Sequence, residues 1–161
     1  MRLVTPRRRY RSRVAEPKRC GRRRLSIAAA DPPTRTPAPA GPFSGSFCPG
    51  FDVLVTPVVN REYSIAFSNG AVITTGRLVV QLTNLSSGTS IVVNASGPGF
   101  FSDDGVSFTL RGATLVLDTG GFLYPGSPPA TQLLSGALAF DGLTGNVSET
   151  GHIRDLCSEL A

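Results

Sequence analysis

Residues 61–75 have the sequence REYSIAFSNGAVITT, and this stretch decides the predicted fold. Its first half places Tyr63, Ile65 and Phe67 at every second position, which is the period of a half-buried β-strand. An Asn-Gly pair follows, and such a pair between two β-rich runs is the strongest short-range signal of a hairpin. The stretch therefore predicts two antiparallel strands joined by a tight turn.

The same alternation recurs on both sides of this hairpin. In RLVVQLTNL, residues 77–85, Leu78, Val80 and Leu82 fall on one face of a strand. Sequences rich in Gly, Asn, Asp and Ser interrupt such runs about every 8–12 residues, which is typical of sandwiches and barrels. We therefore predict an all-β fold, an antiparallel sandwich of about eight strands, with a closed antiparallel barrel as the alternative. RDLCSELA, residues 154–161, is predicted to form one terminal helical turn.

Charge and composition divide the chain into three segments. Residues 1–39 contain eleven Arg and one Lys against two acidic residues, a net charge of +10, whereas residues 40–161 contain four Arg and nine acidic residues, a net charge of −5. We predict a basic leader over residues 1–30, which is either disordered or a degenerate export signal because it lacks the apolar run of an ordinary one. A Pro-rich linker over residues 31–46 and a β domain over residues 47–161 follow.

The basic leader raises the question of nucleic-acid binding, since a basic arm attracts phosphate groups. A nucleic-acid-binding domain is also expected to carry a basic face with interleaved aromatic side chains. The four arginines after residue 40 are spread over more than a hundred positions, and the sequence shows no such patch. These features argue against nucleic acid as the main partner. We expect an extracellular ligand or protein as the partner, and we expect the domain to be a monomer. No run is long and apolar enough to predict a membrane span.

Two of the three cysteines flank the predicted β domain. Cys48 opens it and Cys157 closes it, so we predict a disulfide between them that joins the first and last strands. Cys20, in the leader, is left without a partner. If the leader is removed from the mature protein, the number of cysteines becomes even, as is typical of exported domains. The cysteines therefore favour secretion in spite of the incomplete signal region.

The chain has one histidine, His152, which lies near two other residues that are able to take part in catalysis, Arg154 and Asp155. A hydrolytic site would need a nucleophile beside the histidine, and the sequence has no Gly-x-Ser-x-Gly motif. By the period of two, His152 shares a polar strand face with Thr150 and Arg154. We therefore interpret it as an exposed strand residue and assign no catalytic residue, which leaves enzymatic activity open. A single histidine without a Cys-x-x-Cys pair predicts no metal site, and no motif indicates a cofactor.

Three segments carry a resemblance to a known group of proteins. They are CPGFDV at residues 48–53, TNLSSGTSIVVNASGP at residues 83–98 and GHIRDLC at residues 151–157. The first fits a Cys-x-x-Phe-x-Val opening and the last a Gly-His-x-x-Asp-x-Cys close, and together they resemble small exported proteins of actinobacteria whose function is uncharacterised. The likeness extends over about residues 47–161. It implies export behind an ordinary signal peptide, which this leader lacks, and it implies no activity.

Three functions are compatible with these observations. The first is a secreted, non-enzymatic β domain with a structural or binding role at the cell exterior. The second is a small-molecule-binding or isomerase/cyclase-like β-barrel with His152 and Arg154 at a pocket, and the third is a basic-tailed nucleic-acid binder. A filled core with His152 on an outer face would favour the first function, whereas an open barrel mouth lined by His152 or Arg154 would favour the second.

Overall fold

The computed structural model describes residues 32–121 and 125–161, which form nine β-strands and one short α-helix. These elements are β1 Thr34–Pro37, β2 Phe43–Cys48, β3 Phe51–Ala66, β4 Val72–Asn84, β5 Ser90–Asn94, β6 Gly99–Phe101, β7 Phe108–Asp118, β8 Ala130–Asp141, β9 Asn146–Asp155 and α1 Leu156–Leu160. The predicted all-β fold is confirmed, and so is the terminal helical turn. The predicted basic leader lies outside the described residues.

The predicted hairpin joins β3 to β4, the two longest strands. At its turn the amide of Phe67 donates a hydrogen bond to the carbonyl oxygen of Ala71 at 2.9 Å. Gly70 adopts a φ of 90°, a left-handed conformation that costs glycine little because it has no Cβ atom. The pairing continues over almost the full length of both strands, so this local turn organises the centre of the sheet.

The nine strands form one antiparallel sheet in the order β1-β3-β4-β6-β7-β8-β9. β2 and β1 pair with the two ends of β3, and β5 and β6 pair with the two ends of β4. Each of the two long strands therefore has different neighbouring strands at its two ends. Within the described residues β1 and β9 do not pair with each other, so the sheet is open and the alternative of a closed barrel is wrong.

The main hydrophobic core lies between two layers of this sheet, as the predicted sandwich requires. Val53 and Val55 of β3 and Val80 and Leu82 of β4 are at most 2 % exposed, and leucines of β7 and β8 pack against them. Helix α1 covers the same core with two fully buried leucines. The inward face predicted for Leu78, Val80 and Leu82, which lie in the second half of β4, is therefore confirmed.

A row of three glycines crosses the sheet where neighbouring strands approach closely. Gly112 of β7, Gly136 of β8 and Gly151 of β9 are direct neighbours in register. Gly112 and Gly151 have φ values of 76° and 118°, and a Cβ atom on Gly136 would overlap the backbone of Thr150. This row therefore requires glycine.

A second, smaller hydrophobic cluster is formed in β7 and β8 by Val116, Leu134 and Leu138.

Two edge strands lie in or begin in the segment predicted as a Pro-rich linker, residues 31–46. β1 pairs with the end of β3, and β2 begins at Phe43 and pairs with the start of β3. An edge strand needs hydrogen bonds on one side only, so prolines that exclude a central strand are tolerated there. The domain start predicted at residue 47 falls within β2, because local composition does not reveal a pairing partner that is distant in sequence.

Candidate functional site

The three candidates from the sequence lie at the end of β9, on an edge of the sheet. His152 is exposed and pairs in register with Ser135 of β8, which is also exposed. None of the cavities described below is lined by His152, Arg154 or Asp155. The structure therefore brings the three candidates close together along one strand but does not place them at a pocket.

Arg154 and Asp155 both make local contacts that hold α1 in place. The guanidinium of Arg154 donates to both carboxylate oxygens of Glu159, at 2.6 and 2.5 Å. This contact raises the pKa of Arg154 and lowers the pKa of Glu159. Asp155 accepts hydrogen bonds from the amides of Cys157 and Ser158 and is the N-cap of α1. Arg154 and Asp155 therefore have structural roles in positioning α1.

Cys48 and Cys157 form the disulfide that the sequence predicts, with their Cα atoms 5.5 Å apart. The bond joins the end of β2 to α1, and so it does not link the first and last strands as expected. Next to it the hydroxyl of Thr131, which is fully buried, donates to the carbonyl oxygen of Phe47 at 2.9 Å. The disulfide thus joins the end of β2 to α1, and the hydrogen bond of Thr131 joins the end of β2 to β8.

A groove of about 500 Å³ lies at the ends of β6, β7, β8 and β9. Four phenylalanines line it, and we name it the phenylalanine groove: Phe100, Phe101, Phe108 and Phe140. The ring centroids of Phe101 and Phe108 are 6.2 Å apart and those of Phe108 and Phe140 are 5.3 Å apart, so three rings form a continuous aromatic row. Asp141, Asn146 and short hydroxyl side chains also line the groove. The sequence did not reveal this site, because its phenylalanines lie on three strands that only the sheet register brings together.

Two carboxylates at this end of the molecule bind turns of the backbone. Hydrogen bonds from the hydroxyl of Ser102 and from groups of Ser107 and Val106 hold the pKa of Asp104 well below its usual range. The hydroxyl of Thr144 and an amide of the same turn likewise lower the pKa of Asp141. Both side chains are held as ionised turn residues, which differs from the arrangement of an acid–base pair in a cleft.

A second cavity, of about 200 Å³, adjoins the groove, since Phe101 lines both. Glu62 lines this cavity, and burial raises the pKa of its carboxyl group. The hydroxyl of Thr114 also lines it, and this buried oxygen forms no hydrogen bond within the described parts of the chain. Three leucines, Phe101, Ala95 and two glycines supply most of the remaining wall, so Glu62 and Thr114 are polar groups at which a ligand would be oriented.

A β-bulge turns Glu62 towards this cavity. The bulge lies between Pro57 and Val59 and shifts the pairing of β3 with β4 by one residue. The face that carries Val53 and Val55 before the bulge therefore carries Glu62 after it, on the same side as Leu78. Strict alternation along the sequence does not reveal such a shift, so Glu62 was missed as a site residue.

The substitution Glu62→Gln is expected to raise the midpoint of thermal unfolding at pH 7 by a few degrees, because a neutral amide loses less hydration on burial than a carboxylate. A carboxyl group whose pKa is higher in the folded than in the unfolded protein favours folding at low pH, and this contribution is lost as the pH rises through the folded value. The gain should therefore disappear below the ordinary pKa of 4.5, where Glu62 is protonated in both states.

Thermal unfolding of both proteins between pH values of about 3.5 and 8 tests this expectation. Asp103→Asn, at an exposed carboxylate of the β6–β7 loop, is the matched control and should show no comparable dependence on pH. A gain of Glu62→Gln that is equally large at both ends of the range would contradict the role of burial.

Among residues 32–121 and 125–161, His, Cys, Asp and Glu side chains form no group of three that could hold a metal ion. The helix in this part of the chain is too short to cross a membrane.

No protein-family model, no curated protein and no solved structure matches this chain.

Proposed function

We propose that this protein is a secreted, non-enzymatic binding domain of the cell exterior that holds a small ligand in the phenylalanine groove. The observation that carries this proposal is the aromatic row beside an open groove of about 500 Å³. Phe101 keeps 39 % of its surface exposed at this position. Grooves of this size, lined by aromatic rings and a few polar groups, are typical of sites for small ligands with an apolar face.

The disulfide supports the extracellular part of the proposal. Disulfides persist in oxidising compartments and are rare in the cytosol, where thiols are kept reduced. Cys48 is buried, and the Cys48–Cys157 bond closes a loop that contains most of the described residues. The resemblance to small exported proteins points to the same compartment.

The positions of the three sequence candidates support binding over catalysis. Arg154 and Asp155 are engaged in the ion pair and the helix cap at the chain end, and His152 lies exposed on an edge strand. A pocket-forming barrel with His152 and Arg154 at its mouth would require a closed sheet, and this sheet is open. The groove itself offers hydrogen-bonding and apolar groups, which suit recognition.

Replacement of both Phe101 and Phe108 by serine is expected to weaken binding of the neutral apolar dye Nile red about tenfold, because two of the three rings of the aromatic row are lost. The measurement is a fluorescence titration of the dye with the full-length protein. A neutral dye is used so that charged surfaces elsewhere do not contribute to its affinity.

The matched control replaces Phe43 and Phe67 by serine. Phe43 and Phe67 are 46 % and 38 % exposed, which is close to the 39 % of Phe101, and neither lines the groove. The control should bind the dye like the original protein, while circular dichroism shows that both variants are folded. Equal loss of dye binding in the two variants would overturn the assignment of the groove as the binding site.

A further inference from the structure

Arginines that are distant in sequence meet on one face of the sheet. Arg61 of β3 and Arg77 of β4 are directly opposite each other in register, and directly opposed residues share a face. The positions two and four residues further along the same face are Tyr63 and Ile65, and Arg35 of β1 pairs with Ile65. Arg35 therefore belongs to the same face as the opposed pair.

A fourth arginine reaches this face from β7. Ile65 pairs with Ile73, Ile73 with Phe100, and Phe100 with Thr109, so these positions continue the face across the sheet. Arg111 follows Thr109 by two residues, and its guanidinium lies 5.5 Å from the ring centroid of Phe100. We name the surface formed by Arg35, Arg61, Arg77 and Arg111 the arginine face.

All four arginines are exposed, and two of them are held by aromatic rings. The guanidinium of Arg35 lies 3.4 Å from the ring centroid of Tyr63, and that of Arg111 lies over Phe100. Within the described residues, the ion pair formed by an arginine is that of Arg154 with Glu159. None of the four arginines of the arginine face forms an ion pair there, so no carboxylate neutralises their charges.

The opposition of Arg61 and Arg77 is unfavourable for folding. Like charges directly opposite each other on neighbouring strands destabilise a sheet, and nothing in the fold requires a cation at either position. The surface therefore retains a local electrostatic cost. A polyanion bound across it would remove that cost, because guanidinium groups form paired hydrogen bonds with carboxylate and sulfate oxygens.

We propose that the arginine face binds an acidic polysaccharide, a linear sugar polymer that carries carboxylate or sulfate groups. Arg35 and Arg111 lie four strand spacings apart, roughly 19 Å, so the surface suits an extended chain with several charges. Single-stranded nucleic acid is held by stacking of its bases on free aromatic rings, and here Tyr63 and Phe100 are already covered by guanidinium groups. The disulfide likewise indicates a partner outside the cytosol.

The proposed site shares Phe100 with the phenylalanine groove, but Arg61 and Arg77, which the test replaces, do not line that groove. The test uses the full-length protein, a heparin hexasaccharide and a six-nucleotide single-stranded DNA at physiological salt. Arg61→Gln/Arg77→Gln is expected to raise the dissociation constant for the hexasaccharide about tenfold. Its midpoint of thermal unfolding should be unchanged or higher, because the substitutions remove a repulsion.

The matched control is Arg8→Gln/Arg9→Gln, which removes the same charge from the basic leader. It should change the dissociation constant by no more than about twofold, since long-range charge alone is screened at this salt concentration. An equal loss in the control, or no loss in Arg61→Gln/Arg77→Gln, would show that the arginine face is not the site. Tighter binding of the DNA than of the hexasaccharide would overturn the class of partner.

Discussion

Replacement of both Cys48 and Cys157 by serine is expected to lower the free energy of unfolding by about 4 kcal/mol, because the disulfide closes a loop of about a hundred residues in the unfolded chain. The two cysteines are 109 positions apart, so nearly the whole domain lies inside the loop. A loss of this size is a large share of the typical stability of a domain, and the unfolding midpoint should fall by roughly 15 °C. Urea unfolding followed by circular dichroism measures the change.

The control for this variant is Cys20→Ser, which removes the remaining thiol of the chain. It should leave the stability unchanged. Peptide mapping without reduction, on protein collected from the culture medium of the native host, should link the peptides that contain Cys48 and Cys157. Recovery of the protein only from the cytosol, with both thiols free, would contradict the proposed extracellular role.

The substitution Gly136→Ala is expected to destabilise the protein by about 3 kcal/mol, because one added methyl group must displace backbone atoms. A Cβ atom on Gly136 would overlap the carbonyl oxygen of Thr150 and would lie 2.8 Å from the Cα atom of Gly151. Both are atoms of β9, so the strand pair cannot relax by a change of side-chain rotamer. Thermal and urea unfolding should both shift.

Gly41→Ala is the matched control for this prediction. Gly41 lies in the segment before β2, has no heavy atom within 4 Å of an added Cβ atom and is not in the left-handed region. Its replacement should change the free energy of unfolding by less than about 0.5 kcal/mol, since only the flexibility of the unfolded chain is reduced. A similar loss for both glycines would show that close strand packing at Gly136 is not the cause.

Much of the fold was predictable because its signals are local. The alternation around Val80 and Leu82 identified the buried face of β4, and Asn69-Gly70 identified the central turn. The edge strands β1 and β2 were not predicted, since each depends on a partner in β3 rather than on its own composition. The bulge in β3 was also missed, because a one-residue shift of register has no local signal in a run of alternating residues.

The candidate sites were less predictable than the fold. His152 attracted attention as the one histidine of the chain, yet the structure leaves it exposed on β9. The phenylalanine groove and the arginine face are built from residues on three or more strands, and no spacing along the chain marks them as neighbours. The arginines after residue 40 are scattered along the sequence, whereas the strand register places Arg61 directly opposite Arg77.

The amino-acid sequence by itself determined the period of two, the central hairpin, the terminal helical turn and the pair of cysteines that close the domain. These features follow from residues that are adjacent in the chain or chemically able to pair, and their physical causes act over short distances. Only the tertiary structure decided that the sheet stays open, that Glu62 turns inward and that four arginines share one face. Register, bulges and strand order determine these features, because they set which distant residues become neighbours across a sheet.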